Sequence, residues 1–536
     1  MPATRTSRGI ARATLLPLLA VVGLSAGSLR APTSAAPGPP PGRELFADGP
    51  IRTFKIDLTE SALATLKKNE RAYVPATVTE GGAVFKEAGV HVKGMGSFQP
   101  FDQKPSLAVR FDKYTPDQRY LGLSKIFLNN SAQDTTFLAE SMSTQMFRDA
   151  GLPAARVTHG FVELNGRKLG LYVLIEAMNK DFLRQYFKNA KGNLYEGYLQ
   201  DIDQQLDLDG GTDNGQIDRK HLLEICNIPN PAERWSKLPE VLDVDKYLSH
   251  CALEMFVAHI DGYALNRNNY RLYHDPSTDR FTMIAHGLDW GFLNAGAPVQ
   301  PPQPLNSIIT RAVLGTPEGR KAFRERRSQL FSQTFRLERF SNRVDKAVAN
   351  LKAAAHDASE AKQFEDYGRE MLRRIVARYQ VVSNQLALPE PKPLQFDAAG
   401  VAQLTDWRTL IRSGDAVLDL AQSEGRSTLH IRSAGGGAVA SWRLRVSLPA
   451  GKFRFTGEAR AERIAVDSSD AGAGAGLRIS GGKLAGKLTG DAAWTALEYP
   501  IEVAYDGEER ELVCELRVRQ GEVWFDAQSL RLTQTK

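Results

Sequence analysis

A chain of 536 residues is too long for one hydrophobic core, and two or three domains are expected of it. Its 42% hydrophobic and 24% charged content is ordinary for globular protein. The formal charge of +6 rests largely on Arg5, Arg8, Arg12 and Arg30; without residues 1–36, which hold no acid, 64 bases face 62 acids, a balance that gives no argument for nucleic acid as a partner.

The basic start, the apolar run Ala13 to Leu24 and the small residues through Ala36 have the layout of a signal peptide, whose apolar core is too short to span a bilayer. Residues 1–36 are therefore expected to be a leader, and 37–49, rich in Pro and Gly, a tether. No second long apolar run follows, so the expected mature chain is exported and has no transmembrane segment. Three cysteines form no disulfide framework: at most one bridge, Cys226 with Cys251, is possible, and unpaired buried thiols are preferred.

Residues 51–58 alternate as a strand, and Thr59-Glu60-Ser61 opens a short helix. Val74 to Val78 and Val84 to Lys93 read as paired strands around Gly81-Gly82. A glycine turn, Lys93-Gly94-Met95-Gly96-Ser97-Phe98, leads to a strand beginning at Lys104. Strand, glycine turn and strand with a leading Lys is the order of a nucleotide-cradling lobe: glycines let the backbone approach phosphate, and the Lys adds a point charge. Gly94, Gly96, Ser97 and Lys104 are its candidate residues; a plain hairpin turn and a solvated Lys are the alternatives. A helix from Thr136 to Ala150 carries Glu140, placed to pair with Lys104. Asn165-Gly166 joins two strands as a two-residue turn, and Glu176 ends the second of them, where a lobe-connecting segment would fall. The acidic, glycine-rich stretch from Leu199 to Asp218 lacks the glycine position of a calcium loop and reads as solvated.

Residues 219–259 read as helical and lead to His259-Ile260-Asp261, with Asn266 five residues after the aspartate. A hairpin then returns the chain to Asp289-Trp290-Gly291, so that both aspartates reach one mouth. Phosphoryl transfer needs a carboxylate to orient the attacking hydroxyl, and an Asn and a second Asp to hold divalent ions. A kinase catalytic loop reads H-R-D-x-x-x-x-N and is followed by D-F-G; order and spacing match here, with Ile for Arg and Trp for Phe. Residues 305–387 are mostly amphipathic helix and close the domain that begins at 50 and ends at 388. A linker, 389–394, precedes an all-β sandwich of jelly-roll type, 395–536, whose Trp442, Trp494 and Trp524 are candidates for sugar contact or for core.

Four blocks in order carry a family resemblance: KGMGSFQPFDQKPSLAVRFDKY, AGLPAARVTHGFVELNGRKLGLYVLIEAMNKDFL, HIDGYALNRNNYRLYHDP and AHGLDWGF. Over roughly residues 50–390 the chain resembles the spore coat protein H (CotH) kinase family. The resemblance implies an α+β, atypical protein-kinase-like two-lobed domain that binds ATP with Mg2+ or Mn2+ and phosphorylates protein Ser/Thr hydroxyls outside the cytoplasm or on spore surfaces. Lys104 then matches the nucleotide-binding lysine, Asp261 the catalytic aspartate and Asp289 the metal-holding aspartate. Family pattern favours Asn269 or Asn268 as the amide ligand, whereas kinase spacing favours Asn266. The tip reads HGLDWGF where many relatives carry Trp-Asp before the key aspartate, and the sandwich lies outside the resemblance. Two other functions compete: a non-catalytic surface or coat scaffold with a polysaccharide-binding sandwich, and a metal-dependent hydrolase using His259, His274 and His286, which lack compact ligand spacing.

Overall fold

The protein is described by a computed structural model over residues 39–391 and 393–535. The leader expected at 1–36 lies outside the described residues. Seven strands come first: β1 (Arg52–Asp57), β2 (Val74–Glu80), β3 (Ala83–Lys93), β4 (Ser106–Arg110), β5 (Lys125–Asn129), β6 (Val157–Leu164) and β7 (Arg167–Glu176). They close into a barrel in the order β1-β2-β3-β4-β5-β7-β6, and the parallel pair β1/β6 completes the ring. Alternation in β2 buries Val74, Ala76 and Val78 on the inner face, where Phe54, Val90, Leu107 and Leu128 meet them. Asn165 and Gly166 take φ of 47° and 75°, which a primed turn requires, and the Asn165 side chain also bonds both backbone groups of Leu58.

Two boundaries differ from the sequence reading. Helix α1 (Arg43–Phe46) falls inside the expected tether and buries Leu45 in the barrel core, while the Gly42 N–H bonds the Leu121 carbonyl. The strand expected from Lys104 starts at Ser106, whose partner is Lys93. Pro105 has no N–H for a ladder, and Lys104 is left outside it.

Helices α2 (Glu60–Lys68), α3 (Ala139–Asp149) and α4 (Lys180–Tyr186) flank the barrel strands in sequence. Thr59 caps α2 by accepting from the Ala62 N–H at 3.2 Å, as its place before an apolar run suggests. A four-stranded sheet follows, ordered β11-β10-β8-β9, from β8 (Leu194–Gly197), β9 (Asp207–Gly210), β10 (Tyr270–Asp275) and β11 (Arg280–Ala285). Strand β9 lies within the stretch read as a solvated loop: its backbone adds to the edge of β8, with Leu208 opposite Tyr195. Helices α5 (Ile217–Cys226), α6 (Pro231–Val241), α7 (Val244–Phe256), α8 (Tyr263–Asn266), α9 (Ile308–Leu314), α10 (Pro317–Thr334), α11 (Leu337–Ala353) and α12 (Ala358–Leu386) complete this part around one large core.

Beyond residue 400 the chain is all β, in a seven-stranded and a five-stranded sheet that share a separate core including Ile431, Trp442, Phe455, Leu477 and Phe525. The two parts meet where Arg320 of α10 lies over the Tyr505 ring, whose hydroxyl bonds the Gln303 side chain at 3.0 Å. Cys226, Cys251 and Cys514 are all free and buried, so the possible bridge is not formed. No helix among the described residues is long and apolar enough to cross a membrane.

Arg378 of α12 has no exposed surface and, among the described residues, no carboxylate partner. Its guanidinium instead donates to the carbonyls of Met255, Phe256, Ala295, Ala297 and Pro298, and burial lowers its pKa to about 10. These carbonyls end α7, just before Asp261, and follow Asp289. Arg378→Met leaves several buried carbonyls unpaired and is expected to cost about 3 kcal/mol. The shift in urea midpoint at unchanged slope measures it; a change below about 0.5 kcal/mol would show that the carbonyls find other donors.

Candidate active site

The site forms at the mouth of the β10/β11 hairpin. Backbone pairing of Tyr270 with Ala285, and a further bond from the His286 N–H to the Asn269 carbonyl, bring the segment after Asp261 beside the segment before Asp289. Asp261 follows a tight bend at Ala258, where φ is 57°. Glu254 of α7 braces that bend from beneath: its buried carboxylate accepts the Tyr263 and Ala264 N–H groups, which open α8, at 2.9 and 3.1 Å. Burial alone would raise the Glu254 pKa, but His250, at 3.2 Å, and His259 hold it low.

Three amides converge on the Asp261 carboxylate. Asn266 donates to Oδ1 at 2.6 Å, and Asn268 and Asn269 each donate to Oδ2 at 2.9 Å. An ionised carboxylate accepts at about four lone-pair positions, so about one remains for another donor. The three asparagines are not equivalent. The Asn268 amide oxygen already accepts the Leu199 N–H at 3.2 Å, whereas those of Asn266 and Asn269 receive no hydrogen bond from the described residues. Asn269 and Arg267 sit at φ of 48° and 54°, the left-handed turns that let successive amides point at one carboxylate.

Opposite lies Asp289, half-buried, with its pKa raised by burial and by the Asp134 and Asp261 charges, while Lys93 pulls it down. The Asp289 loop rests on α3: a Cβ at Gly291 would stand 2.0 Å from the Ser143 hydroxyl, so only glycine allows this approach. From the same helix comes Glu140, 5% exposed, whose Oε2 has no hydrogen-bond partner among the described residues. Burial first, then the Asp289 charge, push its pKa up to about 8, against the opposing pull of Lys93 and the Leu288 backbone.

Lys93, the last residue of β3, is the cation that these two acids feel. Burial lowers its pKa, and Asp289 and then Glu140 are the largest charges opposing that fall. Its ammonium lies 5.0 Å from the centroid of the Phe127 ring, which Lys125 of β5 also approaches at 4.8 Å. Burial and the nearby Arg271 charge lower the Lys125 pKa to about 8. Arg271 of β10 pairs with Glu196 of β8 at 3.0 Å, and with Asp209. His286, driven by burial down to about 3, is neutral and faces Glu196 at 3.7 Å. Lys93, Lys125 and Arg271 thus form a half-buried cationic wall beside the two aspartates.

Several expectations are corrected. Lys104 makes no pair with Glu140; its ammonium lies over Phe137 and Tyr172, 4.8 and 5.2 Å from their centroids, and burial lowers its pKa to about 8. Lys93 occupies the position beside Glu140 that was assigned to it. The Glu176 carboxylate is buried and committed to Arg156 at 2.9 Å and to Gln185 at 2.7 Å, so it has no free oxygen to offer a nucleotide. Gly94, Gly96 and Ser97 do follow Lys93 directly. Gly94 has φ of 97°, and the Ser97 and Lys104 carbonyls both accept from the Asn130 amide, which pins the turn. His259 is fully buried beside the His286 backbone, His274 pairs with Asp279, and the described residues hold no cluster of three or more His, Cys, Asp or Glu with metal-ligand spacing. Lys93, Lys125, Arg271 and Glu196 are not site candidates in the sequence reading. Their signal is weak in sequence: each lies at the end or middle of a strand, and only the register of the barrel and hairpin brings them together.

In the sandwich, Trp442 is core, 6% exposed. The Trp524 ring is flanked on both neighbouring strands, stacked on His430 at 4.8 Å and under the Arg460 guanidinium at 4.8 Å. Arg426 covers Trp494 at 4.5 Å, and the indole N–H of Trp494 bonds Glu424. Trp442 is thus core, Trp524 is sandwiched between His430 and Arg460, and Trp494 has Arg426 on one face.

The sequence model of the CotH kinase protein family matches residues 90–387. Inner spore coat protein H of Bacillus subtilis (strain 168) is 24% identical over 275 residues, which cover 47% of this chain and 74% of that protein. Among solved structures, the Helicobacter pylori proinflammatory kinase CtkA aligns at 9% identity over 58% of this chain and 92% of its own, with a TM-score of 0.22. TmCBM61 in complex with beta-1,4-galactotriose aligns at 12% identity over 25% of this chain and 91% of its own, with a TM-score of 0.19. Overlaps this low decide nothing about function.

The Glu140 carboxyl sets a pH dependence. Unfolded it titrates near 4.5, and folded near 8, so between these values the folded state keeps a proton that the unfolded state has lost. Stability therefore falls as pH rises through that window. Glu140→Gln should remove this slope, gaining stability relative to the parent between about pH 5 and about pH 8 in urea titrations. An identical pH dependence in both proteins would contradict a protonated, buried Glu140.

Proposed function

Because the chain belongs to the CotH kinase protein family, we propose that it is an exported phosphotransferase that moves the γ-phosphate of ATP to Ser/Thr hydroxyls of a protein, within a two-lobed kinase-like domain spanning 50–388. The observation that carries this reading is the Asp261 carboxylate, turned by three amides and left with about one accepting position opposite Asp289, Lys93 and Glu140.

Asp261 takes the acceptor hydroxyl at that position, aligns its oxygen and receives its proton as the new P–O bond forms and the bond from the γ-phosphorus to the bridging oxygen breaks, releasing ADP. Lys93 places a half-buried ammonium where phosphate oxygens would gain most from it, steadied by Asp289, with Glu140 still protonated beside it near neutral pH. Lys125 and Arg271 extend that positive wall, and the turn Gly94-Met95-Gly96-Ser97 supplies backbone next to it. The donor set also suits a divalent ion: Asp289 offers a carboxylate, and Asn269 and Asn266 offer amide oxygens. Mg2+ or Mn2+ needs few protein ligands because phosphate oxygens and water complete its shell. Bound there, such an ion would neutralise phosphate charge. Asn268 is the weakest of the three candidates, since its amide oxygen is taken by Leu199.

Export, with the leader at 1–36, and a polysaccharide partner for the sandwich at 395–536 belong to the same proposal. A spore coat setting accords with the Bacillus relative. A scaffold without turnover is the competing outcome of the following test.

Magnesium-dependent thermal stabilisation by ATP and radiolabel transfer to a generic acceptor protein separate the roles. Asp289→Ala should lose both signals, and Asp261→Ala should keep the first and lose the second. Lys93→Met should slow transfer by about a hundredfold, and Lys104→Met by less than about threefold. Transfer at the parent rate by Asp261→Ala would remove the assigned base. Lack of both signals in the parent would favour the scaffold.

A further inference from the structure

A cavity opens at one end of the sandwich, away from the kinase-like part. It is a half-open cleft of about 590 Å³, within the usual range for sites that take small ligands. One wall is nearly bare backbone: Gly436 and Gly437 turn at φ of 79° and 82°, and a Cβ on Gly436 would meet nothing within 4 Å. Beside them the strand Arg408–Gly414 ends at Ser413 and Gly414. The remaining wall sets Asp467, Asp470, Arg517 and Arg519 among the small apolar residues Ala438, Val439, Ala473 and Val518.

Those four side chains pair with one another and with nearby backbone. Asp467 accepts from the Ser469 hydroxyl at 2.6 Å, the Ser469 N–H at 2.9 Å and Arg519 at 2.9 Å. Asp470 accepts from the Gly472 N–H at 2.7 Å and from Arg517 at 3.4 Å. Arg517 is steadied further by buried Glu515 at 3.3 Å. These bonds use two of the five N–H donors of Arg517 and one of those of Arg519, so most of both guanidiniums stays available. Each carboxylate likewise keeps lone pairs.

The two acids and two bases cancel, so the cleft carries no net charge to attract an anion or a cation. Guanidinium donors and carboxylate acceptors share the cleft with small apolar side chains and a turn of bare backbone. That combination suits a flat, uncharged molecule bearing many hydroxyls, each of which both donates and accepts. We propose that this cleft, rather than the tryptophan-bearing sheet face, is the saccharide site of the sandwich, and that it takes a neutral oligosaccharide. The proposal rests on the reading of the sandwich as polysaccharide-binding. With no aromatic ring lining it, the cleft gains its affinity from hydrogen bonds and is expected to bind weakly for each sugar unit.

Calorimetric titration of the full chain with cellohexaose, xylohexaose and a β-1,4-galactan hexasaccharide, and with tri-galacturonate as the anionic probe, tests this. At least one neutral probe should bind. Its Kd should rise about tenfold or more in Ser413→Trp, which fills the cleft, and in Arg517→Ala, which removes donors, but change less than about twofold in Trp494→Ala. Because Ser413 is exposed, Ser413→Trp removes no buried contact. Binding lost in Trp494→Ala and kept in Ser413→Trp would overturn the location and leave the saccharide reading standing. Preference for tri-galacturonate would overturn the neutral ligand. No binding of any neutral probe at millimolar concentration would overturn both the site and the reading it rests on.

Discussion

One carboxylate held by three amides organises this molecule. Asp261 cannot rotate while Asn266, Asn268 and Asn269 grip both of its oxygens. That grip needs a backbone that turns back on itself within nine residues. The chain meets the need with left-handed residues at Ala258, Arg267 and Asn269, which cost conformational energy and persist only where surroundings enforce them. Here the enforcement comes from the Glu254 carboxylate under the first N–H groups of α8, and from the hairpin register that clamps Asn269 to His286.

The second constraint is charge in a half-buried cleft. Lys93, Lys125 and Arg271 repel one another, and burial weakens all three ammonium or guanidinium charges. Glu196, Asp209 and Asp289 offset this from three different parts of the chain. The balance is uneven: Glu140 holds a proton near neutral pH, and the Lys125 ammonium titrates only slightly above it. A polyanion entering such a cleft would meet donors whose charge is incompletely screened by water, the condition in which electrostatic contacts count most. Arg378 ties the arrangement to the rest of the fold, since one guanidinium holds the segments that carry both aspartates.

Much of this was legible in the sequence, for identifiable reasons. Asn165-Gly166 announced its turn because few other pairs tolerate two positive φ values. The hairpin between Asp261 and Asp289 was readable from alternation around His274-Asp275-Pro276, and with it the meeting of the aspartates. What sequence spacing could not reveal was the choice of lysine. Lys104 sits ahead of an apparent strand, but Pro105 displaces the ladder by two residues, and the ammonium that Glu140 feels comes from Lys93 across the register. Arg271 and Lys125 read as ordinary strand residues because side-chain direction depends on pairing partners far away in the chain. Glu176 looked like part of a connecting segment, yet its fate is set by Arg156, twenty residues upstream on the neighbouring strand boundary. The tryptophans likewise gave no hint of the cations packed on them by cross-strand pairing.

The account stands or falls on the hairpin mouth acting as a cation and phosphate site. Crystals soaked with manganese and a non-hydrolysable ATP analogue, measured at the manganese absorption edge, test it directly. The expected result is an anomalous peak in contact with the Asp289 carboxylate and an amide oxygen of Asn269 or Asn266, with phosphate density beside Lys93. Manganese found instead at the acidic stretch around Asp207 and Asp213, or nucleotide bound away from Lys93, would contradict it.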